Sequence, residues 1–304
     1  MEIILPNNNS TLESFKTFSE VDCIVSDIDG TLTVGSTPIL QQIRKKTNNL
    51  MKKNVTTSIA TGRPYRGAYT VIQELGIPIG TPIILYNGAV LLEHGTEDFI
   101  IKNTISTYDT SKIYDLVAEC GAGIYIYTCD AVIPSVYNLL ESHKLEEMVY
   151  YVGKKKRLVD INGFLVTPFN GEIIKQKSIV SILIKRNELP IYVYKRIMNY
   201  LESSSQISYT DSGSGFIEIC ATKARKGNVI DILKNQCYYR GKKKILAIGD
   251  NDNDVDLFKK ADISIAVKNA SNMAKKVCNY VCERDSAAGY LDMLTVIEQA
   301  KRYY

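Results

Sequence analysis

The sequence predicts an α/β protein whose doubly wound, parallel-sheet core is interrupted by an inserted α+β domain. At both ends of the chain, short apolar runs rich in β-branched residues alternate with amphipathic helical patterns. Between the two ends, closely spaced strand-like runs replace this alternation of strands and helices. The chain has 304 residues, 45% of them hydrophobic and 23% charged, which is enough for two domains of ordinary globular composition.

The first part of the predicted core begins with Val21–Ser26 (VDCIVS), a short apolar run typical of a buried strand. The elements predicted after it are a helix over Pro38–Lys53, a strand over Val55–Ala60, a helix over Tyr65–Leu75 ended by Gly76, and a strand over Pro82–Tyr86. Strand–helix–strand alternation at this spacing favours parallel strands covered by helices. We expect the Asn-rich residues 1–19 to form a loose segment.

The pattern changes near Asn87-Gly88, and from about Leu91 to Ala221 it favours an α+β insertion with a largely antiparallel sheet. Strands are predicted over Phe99–Ile101, Gly123–Tyr127, Gly163–Val166, Val180–Ile184 and Phe216–Ile219, and helices over Ser111–Glu119, Val136–Glu146 and Pro190–Leu201. The insertion is rich in tyrosine. Four of these side chains could either stack on a substrate ring or pack in a core: Tyr125, Tyr127, Tyr150 and Tyr151.

The alternating rhythm then resumes to the end of the chain. The elements predicted are a helix over Gly227–Asn235, a strand over Lys244–Ile248, a helix over Asp254–Lys260, a strand over Ile263–Val267, and helices over Ser271–Val277 and Ala287–Ala300. The predicted core therefore comprises residues 20–90 and 222–304. Residues 91–221 form the insertion.

Composition narrows the function classes. A formal net charge of +4 is too small for the basic surface of a nucleic-acid binder. No stretch approaches the ~18 consecutive apolar residues that a membrane span needs, and the first residues lack the pattern of a signal peptide. The seven cysteines are scattered without metal-site spacing, which is typical of reduced thiols. We therefore expect a soluble, cytoplasmic protein; the sequence does not indicate its oligomeric state.

Polar turns follow three of the predicted core strands. Asp27-Ile28-Asp29-Gly30 follows the first strand, and the i, i+2 spacing places both carboxylates on the same side of an extended chain. Thr61-Gly62-Arg63 follows the second strand, and Gly249–Asp254 follows the strand that ends at Ile248. In open sheets of this kind, ligands bind beyond the carboxyl ends of the strands, so we expect these turns to meet at one site.

If the turns meet, four carboxylates crowd together: Asp27, Asp29, Asp250 and Asp254. Such a cluster repels itself at neutral pH unless a cation is bound. A set of oxygen ligands without Cys or His selects a hard ion, and Mg²⁺ suits a site that also holds phosphate. Each acidic turn alone also fits a plain turn, because Asp-Gly and Asn-Asp pairs are common turn formers. Three polar turns at three strand ends favour a site.

These motifs resemble those of the haloacid dehalogenase (HAD) superfamily. Asp27-Ile28-Asp29-Gly30-Thr31 is similar to the first HAD motif, Thr61 to the second, and Gly249-Asp250-x-x-Asn253-Asp254 to the fourth. Lys226-Gly227, which follows the Phe216–Ile219 strand, is similar to the third motif of Cof-type members. These members carry a type IIB cap, which determines substrate specificity, at the position of the insertion. The resemblance covers nearly the whole chain.

The resemblance implies an Mg²⁺-dependent phosphatase that works through an aspartyl-phosphate. Asp27 would be the nucleophile and Asp29 the general acid and base. Mg²⁺ would be held by Asp27, the backbone carbonyl of Asp29, and Asp250. The implied phosphate-binding residues are Thr61, Gly62, Lys226 and Asn253. Asp254 would contact neither the metal nor the phosphate, but would orient Lys226 or another ligand.

Several assignments stay open. Lys223 or Arg225 could replace Lys226 as the phosphate ligand if the helix starts earlier. Arg63 either contacts substrate or forms a structural ion pair. Asn87, in the Asn-Gly pair that resembles the one before the cap in this subfamily, either contacts substrate or forms a plain turn. Asp256-Leu257-Phe258 departs from the family pattern, which puts local helix packing in doubt.

The substrate implied is a small phosphorylated metabolite, and sugar phosphates, pyridoxal phosphate and flavin-pathway phosphates all remain open. Two other functions remain open. A phosphotransferase or phosphomutase would use the same aspartyl-phosphate, whereas a non-catalytic sensor would only bind the phosphorylated compound. The presence of both Asp27 and Asp29 argues against the sensor.

Overall fold

The computed structural model describes residues 3–7, 10–34, 38–96, 98–131, 145–155, 157–161, 163–169, 171–211, 215–235 and 244–304. Its strands are β1 (Val21–Ser26), β2 (Thr56–Ile59), β3 (Pro82–Leu85), β4 (Val90–Glu93), β5 (Phe99–Lys102), β6 (Ile124–Ala131), β7 (Leu145–Val152), β8 (Thr167–Pro168), β9 (Ile179–Lys185), β10 (Ile207–Asp211), β11 (Phe216–Ala221), β12 (Lys244–Gly249), β13 (Ile263–Ala266) and β14 (Tyr280–Val281). Its α-helices are α1 (Leu12–Ser19), α2 (Gln41–Met51), α3 (Tyr65–Leu75), α4 (Thr107–Ala118), α5 (Ile173–Gln176), α6 (Ile191–Ser203), α7 (Asn228–Asn235), α8 (Val255–Lys260), α9 (Asn272–Val277) and α10 (Ser286–Tyr303). The chain divides into two units, Met1–Gly95 with Arg225–Tyr304, and Thr96–Ala224.

The first unit is built on a parallel sheet in the order β14-β13-β12-β1-β2. A parallel bridge between Ala60 and Ile84 places β3 beside β2. The central strands β1 and β12 are buried along nearly their whole length, which explains why their sequences read as continuous apolar runs. The predicted doubly wound parallel core is confirmed, and the carboxyl ends of β1, β2 and β12 lie at one edge of this sheet.

Residues 12–19 form helix α1, where the sequence analysis predicted a loose segment. Phe15 and Phe18 are buried, three residues apart, on one face of the helix. The Phe18 ring lies 5.2 Å from that of Tyr280, centroid to centroid. The preceding Asn-rich residues favoured a loop, but this short aromatic stripe outweighs them because it packs against the sheet edge and against α10.

Strand β4 belongs to the first unit, where it pairs antiparallel with β3. The turn that joins them, Tyr86–Gly88, has three consecutive residues with positive φ, at 49°, 54° and 101°. For Tyr86 and Asn87 this conformation is strained, and such strain persists only where surrounding contacts hold it.

The second unit contains a six-stranded sheet in the order β10-β11-β9-β6-β7-β8, antiparallel except for the β7–β8 pair. Apolar residues of β6, β9 and β11 pack with α4 and α6 into one core that includes Ile113, Ile182, Val193, Ile197 and Ile219. The predicted α+β insertion with a largely antiparallel sheet is therefore confirmed.

Two predicted elements of the insertion differ from the structure. In the helix predicted over Val136–Glu146, residues 136–144 lie outside the described residues, and Leu145 and Glu146 begin β7, which pairs with β6 along eight residues. The strand predicted over Gly163–Val166 is reduced to a single antiparallel bridge between Val159 and Leu165. A Gly with positive φ starts that segment and limits its extension.

All four tyrosines singled out in the insertion are buried. The rings of Tyr125 and Tyr151 lie 4.8 Å apart between centroids, and the Tyr127 hydroxyl donates a 2.9 Å hydrogen bond to Asp160. Each ring therefore has a packing role within this unit.

Among the described helices, none has both the length and the apolar character needed to cross a bilayer.

Candidate active site

Asp27 lies directly after β1, and its backbone N–H donates to the carbonyl of Ile248 in β12 at 3.0 Å. This extension of the parallel ladder fixes the backbone of Asp27 at the carboxyl edge of the sheet. Its side chain is only 6% exposed and accepts a 2.7 Å hydrogen bond from Lys226 Nζ. The buried Asp27 carboxylate is therefore paired with the ammonium group of Lys226.

Lys226 is buried between two acids. Its Nζ donates to Asp27 and, at 2.8 Å, to Asp254, which is fully buried. Burial alone would lower the pKa of Lys226, but Asp254 and Asp27 more than offset that effect and raise it. Lys226 is therefore the candidate cation seen in contact with Asp27, whereas Lys223 and Arg225 are both exposed.

Asp254 also shapes the acidic turn that follows β12. Its second carboxylate oxygen accepts the backbone N–H groups of Asp250 and Asn251, each at 3.0 Å. A Cβ on Gly249 would lie 2.5 Å from the Asp254 carboxyl carbon, so only glycine permits this approach. One buried carboxylate therefore orients both Lys226 and the turn that presents Asp250.

Asp250 is held by the turn that follows β1. Thr31 Oγ1 donates a 3.1 Å hydrogen bond to it. Gly30 has a φ of 80°, and a Cβ there would lie 2.3 Å from an Asp250 oxygen. No role was predicted for Thr31, and its position directly after Asp-x-Asp-Gly is the signal that could have identified this contact.

Asp27, Asp250 and Asp254 each offer an oxygen, and these three oxygens lie within 4.8 Å of one another. Burial, followed by repulsion from Asp254 and Asp250, raises the pKa of Asp27 well above its usual range despite the nearby Lys226. Burial and the charge of Asp254 raise the pKa of Asp250 to about 6. Three carboxylates faced by one ammonium retain excess negative charge, and a divalent cation with oxygen ligands could occupy such a cluster.

Asp29 departs from the predicted crowding of four carboxylates. Its side chain is 53% exposed and points to Arg63, whose Nε and Nη2 donate to its two oxygens at 2.8 and 2.6 Å. The hydrogen bond to Asp29 raises the pKa of Arg63. The guanidinium offers Asp29 an opposite charge, so the carboxylate is not forced into the buried acidic cluster.

The turn after β2 forms a further cluster of polar groups. Thr61 is buried, and its hydroxyl oxygen accepts the backbone N–H of Arg63 at 3.1 Å. The Asn87 backbone N–H donates to the Thr61 carbonyl at 3.0 Å, and its side-chain oxygen accepts a 3.0 Å hydrogen bond from Asn253. The Asn253 oxygen is buried without a hydrogen-bond partner, and a Cβ on Gly62 would lie 3.1 Å from the Asn87 amide.

Gly88 positions the segment that carries Lys226. A Cβ at Gly88 would lie 2.3 to 2.5 Å from backbone atoms of Arg225, so the strained turn packs directly against the residue before Lys226. On the opposite side, Asn269 donates to the Gly30 carbonyl at 3.1 Å. The loop after β13 therefore contacts the turn that follows β1.

The chain is similar to known hydrolases in both sequence and fold. The family model for haloacid dehalogenase-like hydrolases matches residues 24–294. A Bacillus subtilis 5-amino-6-(5-phospho-D-ribitylamino)uracil phosphatase is 24% identical over 285 residues, covering 90% of this chain and 97% of that protein. A haloacid dehalogenase-like hydrolase from Bacteroides thetaiotaomicron superimposes with a TM-score of 0.69 at 20% identity, covering 93% of this chain and all of that chain. A HAD subclass IIB sugar phosphatase has a TM-score of 0.66 at 18% identity, covering 93% and 99% of the two chains.

Proposed function

The chain belongs to the haloacid dehalogenase-like hydrolase family and is a phosphatase of its Cof type, and from this premise we propose that it hydrolyses small phosphorylated metabolites through a phosphoaspartate on Asp27. The observation that carries the proposal is the buried Asp27 carboxylate, which lies at the carboxyl edge of the sheet between Lys226 and the acidic turn of Asp250. Ionisable groups whose pKa is shifted by burial and by a charged neighbour, as for Asp27 beside Lys226, are concentrated in active sites.

We assign Mg²⁺ to the acidic cluster. Asp27, Asp250 and the backbone carbonyl of Asp29 would hold the ion, and its charge would offset that of the carboxylates and of a bound phosphate. Asp254 already accepts from Lys226 and from two backbone N–H groups. Asp254 would therefore orient Lys226 and the turn that carries the metal ligand Asp250, rather than bind the ion itself.

Two steps complete the reaction. An Asp27 oxygen attacks phosphorus, the bond from phosphorus to the substrate oxygen breaks, and Asp29 gives its proton to that oxygen. A water then attacks the phosphoaspartate, Asp29 takes the proton of that water, and Asp27 is regenerated. Lys226, Thr61, the Gly62 segment and Asn253 would bind the phosphoryl oxygens during both steps.

The substrate class rests on chemistry shared with relatives. One relative is named for a phosphorylated ribityl compound and one structural neighbour is a sugar phosphatase. Sugar phosphates, flavin-pathway phosphates and pyridoxal phosphate are all small phosphomonoesters that the same Asp27 chemistry would cleave. We assign the choice among them to the second unit, and a cytoplasmic location stays a prediction.

The test is phosphate release from p-nitrophenyl phosphate and a panel of metabolite phosphates, measured with Mg²⁺ and with EDTA. We expect turnover with Mg²⁺, its loss in EDTA, and its recovery when Mg²⁺ is restored. The panel ranks the substrate classes. Absence of release from every compound would contradict hydrolysis; transfer to an added alcohol or sugar would then indicate a phosphotransferase, and binding without turnover a sensor.

A further inference from the structure

The ion pair between Arg63 and Asp29 engages both carboxylate oxygens. Arg63 Nε and Nη2 donate to the two oxygens of Asp29 at 2.8 and 2.6 Å. The Asp29 side chain is 53% exposed, whereas that of Arg63 is 19% exposed. A half-exposed aspartate would otherwise rotate freely about its side-chain bonds. A planar fork that binds both oxygens restricts this rotation.

Arg63 is itself fixed to the structure around the site. Its backbone N–H donates to Thr61 Oγ1 at 3.1 Å, and its Nη1 donates to the carbonyl of Gly67 in α3 at 3.0 Å. The guanidinium therefore joins the first turn of α3 to the Asp29 carboxylate. The orientation of Asp29 is set by the turn after β2, the same turn that carries Thr61.

We infer that Arg63 is a positioning residue that orients the Asp29 carboxylate for both proton transfers of the reaction, an inference that rests on the proposed function. In the first step, the proton leaves Asp29 for the substrate oxygen as the bond from that oxygen to phosphorus breaks. In the second step, Asp29 takes a proton from the water whose oxygen bonds to phosphorus. Because the fork fixes the direction of both Asp29 oxygens, it sets the geometry for the proton that leaves in the first step and for the proton that arrives in the second.

The nature of the leaving group separates this role from direct binding of phosphate by Arg63. An alkoxide is a poor leaving group and needs the proton from Asp29, whereas p-nitrophenolate leaves without protonation. A residue that acts through Asp29 therefore affects the two kinds of substrate differently. A residue that binds the phosphoryl group affects both equally, because that group is common to them.

The experiment measures kcat/KM of Arg63→Ala and Arg63→Lys on p-nitrophenyl phosphate and on the alkyl phosphate that the wild type hydrolyses best. This ratio reports events up to departure of the leaving group. For Arg63→Ala we expect a loss of about 10- to 100-fold on the alkyl phosphate, part of the 10²–10⁴-fold that general acids contribute, and less than about threefold on p-nitrophenyl phosphate. Arg63→Lys should recover part of the loss, because lysine keeps the charge without the fork.

The matched control is Arg284→Ala, which removes another Arg–Asp fork from the same unit. Arg284 Nε and Nη2 both donate to Asp292. Since neither residue belongs to the proposed machinery, this variant should leave both kcat/KM values near those of wild type. Circular dichroism and melting temperature establish that each variant folds, and Arg63→Lys supplies the comparison if Arg63→Ala does not.

A double-mutant comparison completes the test. In an Asp29→Asn background, Arg63→Ala should change kcat/KM on the alkyl phosphate by less than about threefold, because the group that it positions no longer transfers a proton. Equal losses on both substrates, or a full additional loss in the Asp29→Asn background, would overturn the positioning role and leave the proposed phosphatase intact. A wild type that releases no phosphate would overturn the proposed function and this inference together.

Discussion

At the residue scale, the site concentrates charge that the apoprotein does not balance. Lys226 contacts Asp27 and Asp254, while Asp250 accepts a hydrogen bond from the Thr31 hydroxyl. Burial of like charges disfavours their ionised forms, which is why the pKa values of Asp27 and Asp250 are raised. This burial of like charges reduces the stability of the folded protein when no cation is bound.

Asp250→Asn should stabilise the metal-free protein and abolish its response to Mg²⁺. The amide keeps an acceptor for Thr31 but removes one buried negative charge. We expect the melting temperature in EDTA at pH 7.5 to rise by about 2–5 °C. Mg²⁺ should raise the melting temperature of the wild type but not that of the variant, because only a protein that binds the ion gains stability from it.

The same pair of proteins gives a dependence on pH. The folded pKa of Asp250, about 6, lies above its unfolded value of about 3.9. The folded state therefore binds the proton more tightly, and the stability from this group is present below pH ~4 and lost as the pH rises through about 6. In EDTA, the stability advantage of Asp250→Asn should appear between these pH values and be small below them. A variant that is less stable at pH 7.5 and still responds to Mg²⁺ would contradict this assignment.

At the element scale, the site is made where strand ends and turns meet. The ends of β1 and β12 present Asp27 and Asp250, and the turn after β3 packs against the segment that enters α7. Glycines at the contact points allow backbones and carboxylates to approach more closely than any Cβ permits. The packing of these elements places the backbone of the segment that carries Lys226, and the Asp254 carboxylate orients its side chain.

Gly88→Ala should displace Lys226. It should lower kcat/KM strongly while the protein remains folded. Its new methyl group would lie 2.3 Å from the Arg225 backbone nitrogen. Because misplacement of a phosphate ligand by about 1 Å costs on the order of 100-fold in rate, we expect kcat/KM to fall by at least about tenfold. The measurement is phosphate release at a temperature where the variant remains folded.

Gly163→Ala is the matched control for this change. Gly163 also has a positive φ, at 81°, but a Cβ there would meet no atom within 4 Å. This variant carries the left-handed strain of about 1 kcal/mol without the steric clash. If both alanine variants lost activity equally, the close packing of the Gly88 turn on Arg225 would not be what positions Lys226.

Sequence patterns predicted the core elements and the polar turns because both depend on local order along the chain. The acidic turns follow β-branched apolar runs directly, so the meeting of Asp27 with Asp250 follows from a parallel sheet. An ion pair of Arg63 was one of two alternatives left open, but its partner Asp29 was not predicted, because the pairing depends on side-chain direction across two turns. The first two residues of strand β7 were predicted as the end of a helix, because the partner strand β6 that fixes them lies in a separate run of the sequence.

At the scale of the whole molecule, each unit has its own hydrophobic core. In the second unit, α4 and α6 cover one face of the antiparallel sheet. In the first unit, α1 packs against α10 and adds its aromatic face to the parallel sheet. The N-terminal helix is therefore part of the first unit and contributes to its stability.

Phe18→Ala should destabilise the first unit without changing the chemistry. Phe18 is fully buried, and removal of such a ring costs about 3–5 kcal/mol. Urea denaturation should show this loss, while kcat/KM per folded molecule stays near that of wild type, because α1 contributes no residue to the proposed site. Leu12→Ala, at a position 56% exposed on the same helix, should cost much less. Equal costs for the two variants would contradict the docking of α1 through its aromatic face.

The most direct test of the account is to trap the phosphorylated protein. Asp29→Asn should slow hydrolysis of the phosphoaspartate more than its formation from p-nitrophenyl phosphate, so the intermediate should accumulate with Mg²⁺ present. Acid quenching followed by peptide mass spectrometry should find one phosphoryl group on Asp27, and none after EDTA treatment or in the Asp27→Asn, Asp29→Asn double variant. A phosphoryl group on another residue, or undiminished phosphate release by Asp27→Asn alone, would contradict Asp27 as the nucleophile.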